Sequence, residues 1–301
     1  MSSLTNIVAA TDLSAASRDA CERAALLART HGAQLTLMHA LASSELDALR
    51  RSGDAADAAD AQAIEDDARA RLHALATELQ QRQGARVAEH LAAGHPLSEV
   101  VGLAERLDAA LLVTGTRGSG AARGVVIGTM AERITRFTKR PVLMVRQPVR
   151  GPYRRVLVPV DFSPWSLAAV HAADRIAPDA TLVLMHAIEL PFERRRRRFG
   201  VAEQSLARQR ERARDAAQGQ LRALAAQTGL AAGRLLASAP EGDDPWALIA
   251  QQEQEHDCEL IVMGRQGRHA LGELMLGSTT RRVLAGCRAD VLVSVHTAAA
   301  P

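Results

Sequence analysis

The sequence predicts an α/β protein made of two doubly wound parallel sheets. Short apolar runs of strand length alternate with longer segments of helix length, this pattern occurs twice, and 301 residues suit two domains. Five strands alternating with four helices in each half imply a parallel sheet covered on both faces. We expect two five-stranded sheets of strand order 3-2-1-4-5, in domains at 1–149 and 150–301.

The first half divides into elements at recognisable start and stop signals. The predicted strands are 4–11, 34–41, 85–92, 108–114 and 141–147. The predicted helices run from Ser14 to about Thr30, from about Asp57 to Gln83, from near Leu97, and from Thr129 to about Thr138. A glycine follows each of the first two helices, and Pro141 follows the fourth, as is typical of helix ends. The stretch 52–54 is expected to be a loop.

The second half repeats the first at a constant offset. Its landmarks Asp161, Ser163, Gly264, Gly267 and Gly277 each stand 149 residues after Asp12, Ser14, Gly115, Gly118 and Gly128. Five matched landmarks indicate duplication rather than coincidence, and Gly151-Pro152 marks the boundary. The remaining predicted strands and helices are strands at 154–161, 181–190, 233–238, 258–264 and 289–295, and helices from Ser163, over 201–227, from Asp244 and from Ser278.

A glycine-spaced loop follows the fourth strand in each half. Both copies read Gly-x2-Gly-x9-Gly-(Ser/Thr), starting at Gly115 and Gly264 and ending at Thr129 and Ser278. Strand, glycine loop and helix start form the setting in which main-chain N–H groups hold phosphate. Nearby positive charge comes from Arg117, Arg265 and Arg268. The alternative is a pair of ordinary glycine loops in a parallel sheet.

Each half also places an aspartate at the end of its first strand. In the expected strand order a crevice opens between strands 1 and 4, so Asp12 meets Gly115 there, and Asp161 meets Gly264. The carboxylate suits a ribose hydroxyl, an adenine amino group or water-bridged Mg²⁺, and the alternative is capping of the next turn. Two histidines end matching strands and are expected to be structural residues near the crevice. They are His39 and His186.

Composition excludes several classes of protein. A net charge of +3 and 2% aromatic residues argue against a nucleic-acid binder and predict that backbone and aliphatic groups hold any bound base. Cys21, Cys258 and Cys287 form no metal or disulfide pattern and are expected to be core thiols, and His256-Asp257-Cys258 is expected to bind no metal. The start of the chain does not resemble a signal peptide, and no apolar run reaches about 18 residues, so the expected location is the cytoplasm.

One basic run stands apart from this composition. Arg194 to Arg198 follow Glu193 without interruption. They could contact nucleic acid or anionic lipid, but a solvated start of the long helix is favoured.

On these residues the chain resembles the universal stress protein family in its tandem two-domain form. The resemblance implies Rossmann-like domains, a regulatory role in the stress response, and ATP, with or without Mg²⁺, bound by members that keep the motif. The implied phosphate contacts are Gly115, Arg117, Gly118, Gly128, Thr129, Gly264, Gln266, Gly267, Gly277 and Ser278. The implied adenine and ribose contacts are Ala10, Thr11, Asp12, Ala40, Pro159, Val160, Asp161 and Ala187. The first half departs a little from the family pattern, with Thr129 where Ser is commoner and an extra glycine in its nine-residue segment, so the motif supports nucleotide affinity in the second half more strongly.

The resemblance also implies an intramolecular pseudo-dimer. Domains of this family commonly pair through their fifth strands, and pairing within the chain would hide two strand edges. A further homodimer and a protein partner are left open.

Enzymatic turnover has little support in the sequence. The motifs GxxxxGK[ST], GxSxG and HExxH are missing, as are those of a nucleotidyl-transfer or ligase enzyme. Slow ATP hydrolysis is left open, with Asp12 or Asp161 as candidates. The alternative function is a structural or interaction module with one or both crevices empty or holding a ligand other than a nucleotide.

Overall fold

The computed structural model describes residues 4–51, 54–116, 129–189, 203–266 and 276–295. Contacts divide the chain into two compact units, Met1–Pro152 and Tyr153–Pro301. Each unit carries a parallel sheet with helices in the crossovers, which confirms the predicted α/β class. Within the described ranges, no helix combines the length and the apolar character needed to cross a membrane.

The sheet of the first unit has five parallel strands. They are β1 (Asn6–Ala10), β2 (Gln34–Ala42), β3 (Arg86–Gly94), β4 (Leu111–Gly115) and β5 (Val142–Val145). Hydrogen-bonded neighbours give the order β3-β2-β1-β4-β5. The central strands β1 and β4 are buried because the crossover helices cover both faces of the sheet. Their carboxyl ends therefore lie side by side.

In the described ranges of this unit, five helices connect these strands. They are α1 (Ala15–His31), α2 (Ser43–Arg51), α3 (Ala55–Gln83), α4 (Pro96–Arg106) and α5 (Thr129–Phe137). Gly32 and Gly84 end α1 and α3 in the left-handed conformation, at φ 64° and 67°, which costs glycine little. Helix α2 was missed in the sequence because its segment is mostly polar. Burial of Leu46 and an ion pair between Arg50 and Glu65 of α3 hold it in place.

The second unit repeats the arrangement. Its strands are β6 (Arg155–Pro159), β7 (Thr181–Met185), β8 (Leu235–Ser238), β9 (Leu260–Gly264) and β10 (Asp290–Ser294). Its described helices are α6 (Pro164–Ile176), α7 (Glu203–Thr228), α8 (Pro245–Glu255) and α9 (Ser278–Gly286). Neighbouring strands give the order β8-β7-β6-β9-β10, so β6 and β9 are adjacent at the centre.

A short 3-10 helix, Ala232–Arg234, precedes β8 where the sequence predicted strand from Gly233. Arg234 explains the difference. Its guanidinium turns inward and lies 2.7 Å from a carboxylate oxygen of the buried Asp174. The same side chain donates to the carbonyl oxygens of Ala177 and Ala180. The turn that brings Arg234 to these acceptors therefore replaces the first residues of the strand.

All three cysteines are free and buried, which confirms them as core thiols. Burial raises the pKa of the Cys21 and Cys258 thiols to about 12 in each case. Because the folded state favours the protonated thiol, only roughly one such group in ten thousand is a thiolate at about pH 8.

We therefore expect iodoacetamide at about pH 8 to leave Cys21 and Cys258 unmodified in the native protein. The same reagent in urea should alkylate them, because the unfolded thiols regain an ordinary pKa and become accessible. Peptide mass spectrometry after a timed reaction measures both states. Alkylation of Cys21 at equal rates with and without urea would contradict the buried placement.

Candidate functional site

A crevice opens in the first unit where β1 and β4 end side by side. Its volume is about 250 Å³. The strand ends contribute Ala10, Thr11, Asp12, Ala40 and Gly115, and α4 and α5 contribute apolar side chains on the opposite wall. The crevice therefore lies at the switch point of the doubly wound sheet, where ligands of such folds bind.

The second unit has a larger crevice at the matching place, between the ends of β6 and β9. Its volume is about 370 Å³, within the range usual for small-molecule sites. Eight predicted contact residues line it together: Pro159, Val160, Asp161, Ala187, Gly264, Gln266, Gly277 and Ser278. The structure thus brings the strand 1 aspartate and both described ends of the glycine loop to one cavity.

Some predicted residues lie outside the described part of the chain. These are Arg117, Gly118, Gly128, Gly267, Arg268 and the run Arg194 to Arg198. Thr129 begins α5, but its side chain also lies outside the description. Arg265 does not line the second crevice; its guanidinium is buried, and burial lowers its pKa. The positive charge expected from Arg265 is therefore directed into the protein.

The two aspartates hold the turn that leads from the first strand into the first helix. Asp12 Oδ1 accepts hydrogen bonds from the backbone N–H of Ser14 at 3.1 Å and from its hydroxyl at 2.6 Å. Asp161 Oδ1 accepts the same two bonds from Ser163 and a third from the hydroxyl of Ser166. The capping role weighed in the sequence therefore exists, and one carboxylate oxygen fulfils it.

The residue after each aspartate has an unusual backbone conformation. Leu13 and Phe162 have φ values of 60° and 59°, in the left-handed region that bulky side chains rarely adopt. Such strain persists only where the surroundings enforce it, and it clusters at binding sites. Here the Asp-Ser hydrogen bonds enforce it. Both units therefore maintain the same strained turn at the rim of the crevice.

The start of α9 supplies backbone N–H groups to the second crevice. The N-cap residue of the helix is Gly277, which has no side chain with which to cap it. The first residues of α9, Ser278, Thr279 and Thr280, line the cavity. Because the first N–H groups of a helix have no partner within the helix and carry its positive dipole end, this wall suits an anion.

The sequence missed several wall residues. Trp165, in the first turn of α6, lines the second crevice, although the low aromatic content predicted mostly aliphatic and backbone contacts. Its counterpart in the first unit is Ala16, so the repeat gave no signal for it. Its place four residues after Asp161, at a helix start beside the strand end, was the available signal. The histidines expected near the crevices, His39 and His186, do line them.

The described residues contain no group of three or more His, Cys, Asp or Glu side chains able to hold a metal ion. Within the segment 256–258, Asp257 pairs with Arg155 at 3.6 Å and Cys258 is buried. Each of these side chains thus has an ordinary structural position.

Comparison with known proteins identifies the family. A model of the universal stress protein family matches residues 4–146 and again 152–295. The chain belongs to the universal stress protein family. Two consecutive matches make it a tandem member, in agreement with the predicted resemblance. Both crevices and both strained turns fall inside the matched ranges.

Three proteins similar to this chain are also universal stress proteins. A universal stress protein of Archaeoglobus fulgidus DSM 4304 is 18% identical and aligns over 96% of this chain and 98% of its own, with a TM-score of 0.69. A universal stress protein solved in complex with cAMP is 23% identical over 48% of this chain and 98% of its own, with a TM-score of 0.35. A universal stress protein of Methanocaldococcus jannaschii is 34% identical over 65 residues, which span 22% of this chain and 38% of that relative.

Proposed function

We propose that this universal stress protein binds adenine nucleotide, as ATP with Mg²⁺, and acts as a regulatory module in the stress response. One observation carries the proposal: each unit places the strand 1 aspartate and the glycine that ends strand 4 in one crevice at the switch point of its sheet. An experimental structure without a crevice at these two positions would contradict the proposal.

The phosphates belong at the start of α9 in the second unit. The first residues of this helix line the crevice, its N-cap residue Gly277 has no side chain to cap it, and Gly264 leaves the strand end without a Cβ. Ser278 and Thr279 stand on the same wall beside Thr280, whose hydroxyl donates to the carbonyl oxygen of Gly264 at 3.3 Å. Amide and hydroxyl donors of this kind bind phosphate oxygens without a P-loop lysine.

Two carboxylates on the same cavity favour a magnesium complex over free ATP. Asp161 and Glu189 both line the second crevice and would repel a bare triphosphate. Carboxylate oxygens are the hard donors that Mg²⁺ accepts, directly or through water. These two residues would therefore hold the ion, which neutralises charge on the phosphates.

The nucleoside would lie toward the apolar end of the second crevice. Its apolar lining includes Val160, Ala187, Met185 and Ile249, and Trp165 offers an aromatic surface. The first crevice is smaller and has Ala10 and Ala40 at the matching strand ends. We accordingly propose that the second domain binds ATP more tightly than the first.

Binding without rapid turnover fits the aspartates. Oδ1 of Asp161 already accepts three hydrogen bonds within the protein, so this oxygen holds the turn and is not placed as a general base. We propose regulation by occupancy, with at most slow hydrolysis. The pairing of the two domains through their fifth strands stays a prediction.

Equilibrium dialysis with labelled ATP tests the proposal. We expect saturable binding of up to two ATP molecules per chain in the presence of Mg²⁺, weaker binding with EDTA, and competition by ADP. GTP and cAMP serve as further competitors, and displacement by cAMP at lower concentration than ADP would contradict the triphosphate assignment. No saturable binding at millimolar ATP would favour the interaction module instead.

A further inference from the structure

Among the described residues one histidine lines each crevice, and each is held in the same way by the strand end beside it. Nδ1 of His39 lies 2.8 Å from the carbonyl oxygen of Thr11, and Nδ1 of His186 lies 2.8 Å from the carbonyl oxygen of Val160. In both units the carbonyl belongs to the residue just before the aspartate. The two rings thus have equivalent anchors at the rim of the crevice.

The anchor fixes which ring nitrogen carries hydrogen. A backbone carbonyl oxygen only accepts hydrogen bonds, so Nδ1 must donate in both histidines. In a neutral imidazole the second nitrogen, Nε2, then has a lone pair and accepts. Among the described residues no hydrogen bond is made to Nε2 of His39 or His186, although both residues line their cavities.

In the second unit a further contact fixes the plane of the ring. Phe162 packs against His186 with 4.3 Å between ring centroids and an interplanar angle of 40°. Phe162 is the residue held at positive φ by the Asp161 turn. The strained turn therefore helps to orient the imidazole, and an oriented acceptor at a cavity wall discriminates between ligands better than a mobile one.

We propose that Nε2 of His186, and of His39 in the first crevice, accepts a hydrogen bond from a donor on the nucleoside part of the bound nucleotide. The donor is the 6-amino group of adenine or a ribose hydroxyl, which share N–H or O–H chemistry. This specificity role rests on the proposed ATP site. It differs from a structural role, which would need only the Nδ1 bond.

Two substitutions separate these roles. In His186→Asn the amide N–H stands about where Nδ1 was and keeps the bond to Val160, but nothing replaces Nε2. In His186→Gln the amide oxygen reaches the place of Nε2, while the donor at Nδ1 is lost. A specificity role predicts that Asn weakens ATP binding about five- to thirtyfold and that Gln weakens it less than about threefold. A structural role predicts the reverse order.

Fluorescence of Trp165 can report the second crevice alone. The chain has two tryptophans, so Trp246→Phe leaves Trp165 as the single emitter. In this background ATP is compared with 2′-deoxy-ATP, 3′-deoxy-ATP and the triphosphate of purine riboside, which lacks the 6-amino group. The analogue that lacks the contacted donor should bind His186→Asn and the parent protein with affinities that agree within about twofold, because it forms no hydrogen bond to Nε2 in either protein.

The outcomes distinguish the inference from the function on which it rests. Failure of the parent protein to bind ATP would overturn both. If His186→Asn leaves ATP binding unchanged and His186→Gln weakens it, only the role of Nε2 is overturned. The same conclusion follows if His186→Asn weakens the binding of ATP and of all three analogues equally. Thermal unfolding of each variant checks that it folds, and the same pair of changes at His39, followed by dialysis, repeats the test in the first crevice.

Discussion

Substitution of Gly264 by valine is expected to weaken ATP binding in the second crevice by about tenfold to a hundredfold, or about 1.4–2.8 kcal/mol. A Cβ at this position would lie 3.0 Å from the carbonyl oxygen of Gln266 and 3.1 Å from Cβ of Trp165. Both neighbours line the cavity, so the added methyl groups must displace the wall or occupy the space of the ligand. Fluorescence titration in the Trp246→Phe background measures the loss at this site.

Gly219→Val is the matched control for this loss. Gly219 lies on the exposed face of α7, and a Cβ there would meet no heavy atom within 4 Å. The control should bind ATP like the parent protein. Because Gly264→Val does not alter the first crevice, equilibrium dialysis of this variant should still detect ATP binding there. If Gly264→Val and Gly219→Val bind ATP with equal affinity, the end of β9 does not contact the bound nucleotide.

The largest expected effect on stability is that of Arg234→Met, about 3–5 kcal/mol. Arg234 Nη1 lies 2.7 Å from Oδ1 of Asp174, whose side chain is 4% exposed. Removal of the guanidinium leaves a buried carboxylate without its cation and leaves the carbonyls of Ala177 and Ala180 without this donor. Urea unfolding followed by circular dichroism measures the change, which should appear in the transition of the second domain.

Two further variants show whether the buried charge causes this loss. Arg222→Met removes an exposed arginine from α7 and should change stability by less than about 0.5 kcal/mol. Arg234→Met combined with Asp174→Leu replaces the pair by apolar side chains and should recover part of the loss, because no buried charge remains. A double variant no more stable than Arg234→Met would show that packing, rather than charge, dominates at this position.

The sequence alone predicts the framework of the crevices because simple physical signals specify it. Apolar runs locate the buried strands, Gly32 ends α1, and the repeated Asp12 and Asp161 mark equivalent strand ends. These signals are local, since a buried central strand and a helix stop each need particular residue types. Parallel topology then brings the strand ends together.

The details that needed the structure depend on contacts between distant residues. Helix α2 forms through burial against α3, and the turn before β8 forms because Arg234 reaches Asp174. The sequence also does not show whether Asp161 caps the following turn or binds a ligand, because both roles place it at the same strand end. Trp165 is not repeated, because its counterpart in the first half is Ala16, so comparison of the two halves does not reveal it.

The central claim is that main-chain N–H groups at a helix start hold the phosphates of ATP beside the strand 1 aspartate. A crystal structure of the protein grown with ATP and Mg²⁺ tests it most directly. We expect triphosphate density at the start of α9, with Asp161 on the same cavity and the base toward Ala187. Nucleotide bound elsewhere on the chain, or clear density for α9 and β6 with an empty crevice at saturating ATP, would contradict it.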